Sequence, residues 1–340
     1  MDADNDGKLD LYVNRKAIYK NLGGGNFTQT GTGLQNQSGN LSNTWADYNN
    51  DGFIDCWVTS TGASNSFLYK NNGDGSFTKI TSGVIGDSAY NTGWGCAWGD
   101  YDNDGYTDLI IAAANNFGVV NHPNRLYHNS GDGSFTRVDM PGLTDTLAPF
   151  TVPTWNDYDQ DGDMDLFLAS GPANGTPAQD LCYKNMKKET GIDTLVRMTS
   201  ELFAQHTQDG QCYNFIDYDN DGDLDIIVSH VDLIATPVLL RNDGGNRNNW
   251  LGLTLKSHAG LAPAISAKVT VFSGSLKQVL INQWITGYLS SNDPRLHIGL
   301  GKHKTIDSLE IAWSDGQTET YRNIRANRYI TIMQGEGVVE

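Results

Sequence analysis

Asp217-Tyr218-Asp219-Asn220-Asp221-Gly222-Asp223-Leu224-Asp225 is the stretch on which the reading of this chain turns. Carboxylates stand at positions 1, 3, 5 and 9 of it, and glycine stands at 6. The design recurs at Asp157 to Asp165, Asp100 to Asp108, Asp47 to Asp55 and Asp2 to Asp10. Alternate side chains of such a loop can turn toward one hard cation, and glycine permits the sharp bend that brings position 9 back to it. Calcium takes six to eight oxygens in a flexible cage, so it fits better than magnesium, which demands strict octahedral geometry. An EF-hand opens in a similar way, but its loop closes on Glu at position 12 and lies between helices. Here position 12 is Val13, Val58, Ile111, Leu168 and Val228. All five are apolar and most are β-branched, so the loops lead into strands.

The repeat is larger than the loop. Its first aspartates, Asp2, Asp47, Asp100, Asp157 and Asp217, are 45, 53, 57 and 60 residues apart, periods typical of solenoids, propellers or arrays. A short strand enters each complete loop, as in Cys96-Ala97-Trp98-Gly99, and a second leaves it, as in Leu109 to Ala113. A third follows: Ile18-Tyr19-Lys20-Asn21, Leu68-Tyr69-Lys70-Asn71, Leu126-Tyr127-His128-Asn129, Cys182-Tyr183-Lys184-Asn185 or Leu239-Leu240-Arg241-Asn242. A glycine hairpin, clearest at Gly73-Asp74-Gly75 and Gly131-Asp132-Gly133, leads to a fourth strand such as Phe77 to Thr81. In the fourth unit this hairpin is replaced by Met186 to Gly191. Four antiparallel strands per repeat describe a propeller blade. The first unit lacks its entering strand, so a fragment of a longer chain is expected. Residues 115–124 and 171–179 read as loop insertions, the usual location of binding residues.

Charge follows the loops. Residues 1–245 hold 13 Lys/Arg and 33 Asp/Glu, and 21 of those acids lie in the five loops, so the acidity belongs to candidate metal sites rather than to a solvating tail. Residues 246–340 hold 10 Lys/Arg and 7 Asp/Glu. No basic stripe is present, which argues against nucleic acid. The longest apolar run, Leu109 to Ala114, is too short to span a membrane. Cys56, Cys96, Cys182 and Cys212 lack zinc-site spacing; they are either small buried side chains or two disulfides, with Cys182–Cys212 the better pair.

The repeat stops after Asn242, and residues 243–249 have the composition of a linker. Short strand-like runs follow at 250–255, 267–272, 278–284, 296–299, 308–313, 318–321 and 329–333. Two domains are expected: a calcium-binding β-propeller over 1–245, truncated at its N-terminus, and a small all-β, sandwich-like domain over 246–340.

These repeats resemble the FG-GAP (VCBS) family of propeller blades. The tail stretches Asn249-Trp250-Leu251-Gly252-Leu253, Gly287 to Gly301 and Asp307-Ser308-Leu309-Glu310-Ile311-Ala312-Trp313 resemble the ASPIC/UnbV domain, which follows FG-GAP repeats in secreted bacterial proteins and the cartilage acidic protein-like family. Residues 257–267 depart from the usual Gly-rich, basic form of that domain. The resemblance implies up to five calcium sites. Their side-chain ligands would be Asp2, Asp4, Asp6 and Asp10; Asp47, Asn49, Asp51 and Asp55; Asp100, Asp102, Asp104 and Asp108; Asp157, Asp159, Asp161 and Asp165; and Asp217, Asp219, Asp221 and Asp225. Backbone carbonyls of Lys8, Phe53, Tyr106, Asp163 and Asp223 would complete the cages. It further implies a secreted, extracellular, periplasmic or cell-surface scaffold in adhesion, binding protein or matrix through propeller loops, with structural calcium. No catalytic constellation is recognised. The alternatives are a glycan-binding module, with Trp94 or Phe117 stacking on sugar, and a polysaccharide lyase.

Overall fold

The computed structural model describes residues 1–339 apart from 14–16, 31–33, 35–39, 61–65, 87–92, 113–122, 146–149, 171–178, 206–209, 231–235, 245–246, 259–263 and 285–289. The described residues are nearly all β and form seven small sheets. Five of them follow the acid loops in chain order. In the third, Gly95–Gly99, Asp108–Ala112, Arg125–Asn129 and Phe135–Val138 lie side by side in sequence order, all antiparallel. The second and fourth sheets repeat this plan from Asn40–Ala46 to Phe77–Lys79 and from Phe150–Asn156 to Leu195–Met198. The first and fifth have three described strands each, running from Leu11–Val13 to Asn26–Thr30 and from Gly210–Ile216 to Val238–Leu240.

Burial explains why the second strand of a blade is a continuous apolar run rather than an alternating one. Leu109, Ile110, Ile111 and Ala112 are all inaccessible, because each face of their sheet packs on a neighbouring blade. Four buried clusters join consecutive blades. Ile18 packs with Val58, Trp57 with Leu109, Ile110 with Leu166, and Phe167 with Phe215. Aromatic rings strengthen all four seams, and Tyr12 meets Trp45 edge-on at 5.5 Å in the first. Tyr48 stacks on Trp98 at 6.4 Å, Tyr101 on Trp155 at 6.2 Å, and Phe167 meets Phe215 at 4.7 Å. A Cβ on Gly99 would lie 2.6 Å from the Trp155 ring, so this seam closes only over glycine.

The tail forms two four-stranded sheets over a common core. One contains Asn249–Lys256, Leu296–Gly301, Arg328–Met333 and Gly337–Val339; the other contains Lys268–Ser273, Leu276–Ile281, Thr305–Ala312 and Thr318–Arg325. Alternate residues point inward, as with Val269 and Val271, to meet Leu251, Leu253, Ile298, Leu309 and Ile311, the pattern of a sandwich. The strand Gly337–Val339 and the four-residue helices Gly83–Gly86 and Lys187–Thr190 are too short to show a period in sequence. The second helix takes the place of the hairpin in the fourth blade, closed by Gly191 in a left-handed conformation. All four cysteines are buried and unbridged, so the Cys182–Cys212 pairing is not formed; these small side chains serve as blade filling.

Candidate metal centre

Each acid loop is folded by its own carboxylates. Asp2 at position 1 accepts from the N–H groups of Asp6 (3.1 Å) and Gly7 (2.9 Å), and Asp217 accepts from Asp221 (3.1 Å) and Gly222 (2.9 Å). Asp47, Asp100 and Asp157 do the same. The position-5 carboxylates of Asp6, Asp51, Asp104, Asp161 and Asp221 accept from the N–H two residues on. Two left-handed residues make the turn. Position 4 is Asn5, Asn50, Asn103, Gln160 or Asn220, with φ between +55° and +59°. Asparagine tolerates this region best among residues with a side chain; Gln160 is the exception and is fully buried.

This folding draws the predicted carboxylates together. Oxygens of Asp2, Asp4 and Asp6 lie within 4.8 Å of one another, as do those of Asp100, Asp102 and Asp108 and those of Asp157, Asp159 and Asp165. In the second loop Asn49 accepts from Asp51 N–H at 3.0 Å, beside Asp47 and Asp55. Position 7 contributes no shared side-chain chemistry. The ring of Phe53 lies where a Cβ on Gly73 would be, at 2.6 Å, and Tyr106 faces Gly131 in the same way at 2.3 Å, which explains the hairpin glycines. Lys8 pairs with Asp6 at 3.1 Å, Asp163 accepts from Lys188 N–H at 2.9 Å, and Asp223 is inaccessible.

The donor set fits a hard cation. Burial pushes Asp55 and Asp100 up to about 8, Asp108 to about 7 and Asp2 to about 6. In the fourth loop burial raises Asp161 to about 8 and carries Asp157 and Asp165 well above the carboxylate range. Asp4 Oδ1 and Asp159 Oδ1 are buried and accept no hydrogen bond. Crowded carboxylates removed from water repel one another, and a cation among them reverses both penalties.

Sequence reasoning passed over two repeated residues. One is a base on the third strand that covers the outer carboxylates. Lys20 pairs with Asp4 and Asp6, Lys70 with Asp51 (3.1 Å), Lys184 with Asp159 and Asp161, and Arg241 reaches Asp219 at 3.9 Å. In the third loop this base is His128, 3.1 Å from Asp102 and 3.3 Å from Asp108; its bond to Asp108 raises it to about 9. Glu189 also joins the fourth loop through Lys184, at 2.6 Å.

The other is the asparagine that follows the base. The N–H groups of Asn21, Asn71, Asn129, Asn185 and Asn242 donate to the position-9 carboxylates at 2.7–2.8 Å. Their side-chain amides donate to the carbonyl of position 8. In three blades the same amide also reaches the preceding blade: Asn71 to Ala3 O (2.8 Å), Asn129 to Tyr48 O (2.7 Å) and Asn185 to Tyr101 O (2.6 Å). The recurrence of this asparagine in all five units was the available signal.

Of the aromatic residues considered for sugar stacking, Trp94 is half-buried and Phe117 lies outside the described residues. No helix among the described residues is long and apolar enough to cross a membrane.

Blades in series, each carrying one acid loop, and a β-sandwich tail define a repeat protein of the propeller type. The FG-GAP-like repeat family matches residues 2–58, 47–111 and 111–168, and the ASPIC and UnbV family matches 258–339. The chain thus carries FG-GAP-like repeats followed by an ASPIC and UnbV domain. It is 28% identical over 276 residues to cartilage acidic protein 1 of Homo sapiens, covering 79% of this chain and 40% of that protein. The Xenopus tropicalis protein of the same name is 28% identical over 262 residues, covering 75% and 39%. The chain thus spans about 40% of the length of these relatives. Among solved structures, an Agrocybe aegerita lectin described as recognising non-reducing terminal N-acetylglucosamine is 20% identical, with a TM-score of 0.41 over 66% of this chain and 60% of the lectin. An endo-arabinase from Bacteroides thetaiotaomicron is 13% identical, with a TM-score of 0.36 over 67% and 86%.

Proposed function

We propose that the five acid loops hold calcium as a structural ion, and that the protein is an extracellular scaffold presenting its blades to a protein or matrix partner. The observation that carries this reading is the converging, largely buried carboxylate set of the first, third and fourth loops, with Asp4 Oδ1 and Asp159 Oδ1 lacking any donor. Calcium would supply positive charge and accept six to eight oxygens. The chain does the rest. Backbone N–H groups of positions 5 and 6 aim the position-1 carboxylate, and the third-strand asparagine aims position 9. Positions 1 and 9 flank the turn joining the first two strands of a blade, so a charge between them ties those strands at one end. These carboxylates are engaged by loop backbone, which supports a structural rather than catalytic role. An extracellular setting is supported by the relatives, cartilage acidic proteins; extracellular modules bind calcium at roughly 10⁻⁴–10⁻³ M.

At a free concentration about ten times the dissociation constant, each occupied site adds about 1.4 kcal/mol, and five add about 7 kcal/mol, comparable with the net stability of many domains. The test is a thermal melt of the chain across a calcium titration, with magnesium as the control. The melting temperature is expected to climb steeply with calcium and little with magnesium. A melt unchanged from chelator to millimolar calcium overturns the reading.

A further inference from the structure

The tail sandwich is seated on the acid loops. At the fifth loop the Tyr329 phenol donates to the Asp217 carboxylate. Arg295 lies over the Tyr329 ring at 4.3 Å and donates to Asp217 O (2.8 Å) and Asn220 Oδ1 (2.6 Å). Trp250 fills the space above Gly222, where a Cβ would lie 2.2 Å from its ring. At the fourth loop Gly301 N–H donates to Gln160 O at 2.9 Å, and Gly299 backs so closely on Asp157 that a Cβ would lie 1.9 Å from its Oδ2. Lys277 reaches Asp104 O of the third loop at 3.1 Å, and Lys268 bonds Asn50 of the second.

These contacts divide by chemistry. Lys268, Lys277 and Arg295 bond loop carbonyl and amide oxygens, leaving the loop carboxylates to other partners. Tyr329 does address a ligand carboxylate, but its hydroxyl is neutral and brings no charge to compete with a cation. Asp217 Oδ1 accepts from Asp221 N–H, and Oδ2 accepts from Gly222 N–H and Tyr329. The side chain is therefore fixed by its own loop on one side and by the tail on the other.

We propose that Tyr329 and Arg295 are positioning residues for the fifth loop, so that cation binding there and docking of the tail onto the blades form one coupled equilibrium. This rests on the loops holding calcium. Each partner orders Asp217 for the other, so the second to bind loses less freedom. Linkage makes the effect reciprocal: if docking tightens calcium binding, calcium tightens docking by the same factor.

The experiment uses the full chain and its Tyr329→Phe, Arg295→Gln and Tyr321→Phe variants. Tyr321 is the control, because its hydroxyl bonds Glu319 within the tail at 2.6 Å. Calcium binding is followed by titration calorimetry, and tail docking by proteolysis of the connection at residues 241–248 with and without calcium. Tyr329→Phe keeps the ring that packs on Trp250 at 4.9 Å, so its fold is expected to hold. The expected result is a loss of about tenfold in affinity at one site, the range of one hydrogen bond to a charged group. Arg295→Gln should act likewise and Tyr321→Phe should change nothing. Calcium should protect the connection in the wild type and less so in the two positioning variants. Calcium uptake that is identical in all four proteins, or cleavage indifferent to calcium while the sites fill, overturns the coupling alone. No calcium uptake by the wild type overturns the structural-ion reading as well.

Discussion

The side-chain amide of Asn129 donates to the main-chain carbonyl of Tyr48, 81 residues earlier, at 2.7 Å. The same group donates to Thr107 O at 3.0 Å, and its Oδ1 accepts from Gly131 N–H at 3.0 Å. One inaccessible side chain therefore ties a strand to its own loop, to the following hairpin and to the neighbouring blade.

Asn129→Ala leaves two carbonyls and one N–H without these partners. Each unsatisfied buried group costs about 1–3 kcal/mol, partly relieved by relaxation and water. The expected loss is about 2–4 kcal/mol, measured by urea denaturation at saturating calcium. Asn72→Ala removes only exposed bonds to Ser76 and Thr78 and should stay within about 0.5 kcal/mol. Equal effects would show that Asn129 does not hold the seam.

Gly52 and Gly222 occupy position 6 of their loops, with φ of +88° and +100°. Alanine strains the backbone at both, by about 1–2 kcal/mol. A Cβ on Gly52 meets nothing within 4 Å, whereas one on Gly222 collides with Trp250. Gly222→Ala should therefore cost about 1–3 kcal/mol more than Gly52→Ala, the usual range for overpacking. The two denaturation curves, compared at one calcium concentration, isolate the seat of the tail. Coincident curves would place Trp250 away from the loop in solution.

The raised carboxylates set a pH dependence. Asp55 and Asp100 titrate near 8 when folded, because burial disfavours their charge, and near 4 when unfolded. Between those values the folded chain holds more protons, so the stability they contribute is present below about pH 4 and lost as pH rises toward 8. Calcium-free protein should melt lower at pH 8 than at pH 5. The gain from added calcium should be larger at pH 8, where the ligands ionise more readily. A calcium-free melt that rises from pH 5 to pH 8 would contradict the burial of these groups.

The acid loops were legible in sequence because charge at fixed offsets around one glycine is a local pattern, repeated five times. The blades were legible because strands such as Leu109 to Ala112 are bounded by turn residues. The role of Asn129 was not, since an asparagine ahead of Ser-Gly-Asp-Gly looks like an ordinary turn former and its partner at Tyr48 is fixed only by blade stacking. The seat of the tail was hidden for a related reason. Gly222 and Gly299 carry no side chain to advertise a contact, and Trp250 read as a strand residue within the tail-domain motif, with nothing to mark it as a partner of a loop glycine. The disulfide reading failed because an even number of cysteines is equally compatible with packing inside blades.

An asparagine stands in the same frame in every repeat and reaches the preceding blade from Asn71, Asn129 and Asn185, and a stacked tyrosine–tryptophan seam recurs between Tyr48 and Trp98 and between Tyr101 and Trp155. A duplicated repeat therefore carries both halves of its own interface. Such a gene can lengthen by whole units without inventing a new surface, because an inserted blade finds the acceptor it needs on the one before it and offers one to the next. The demand for novelty falls on the two ends of the series and on the tail, whose grip on the loops differs from blade to blade: a tyrosine at Asp217, a bare glycine at Asp157, a lysine at Asn50.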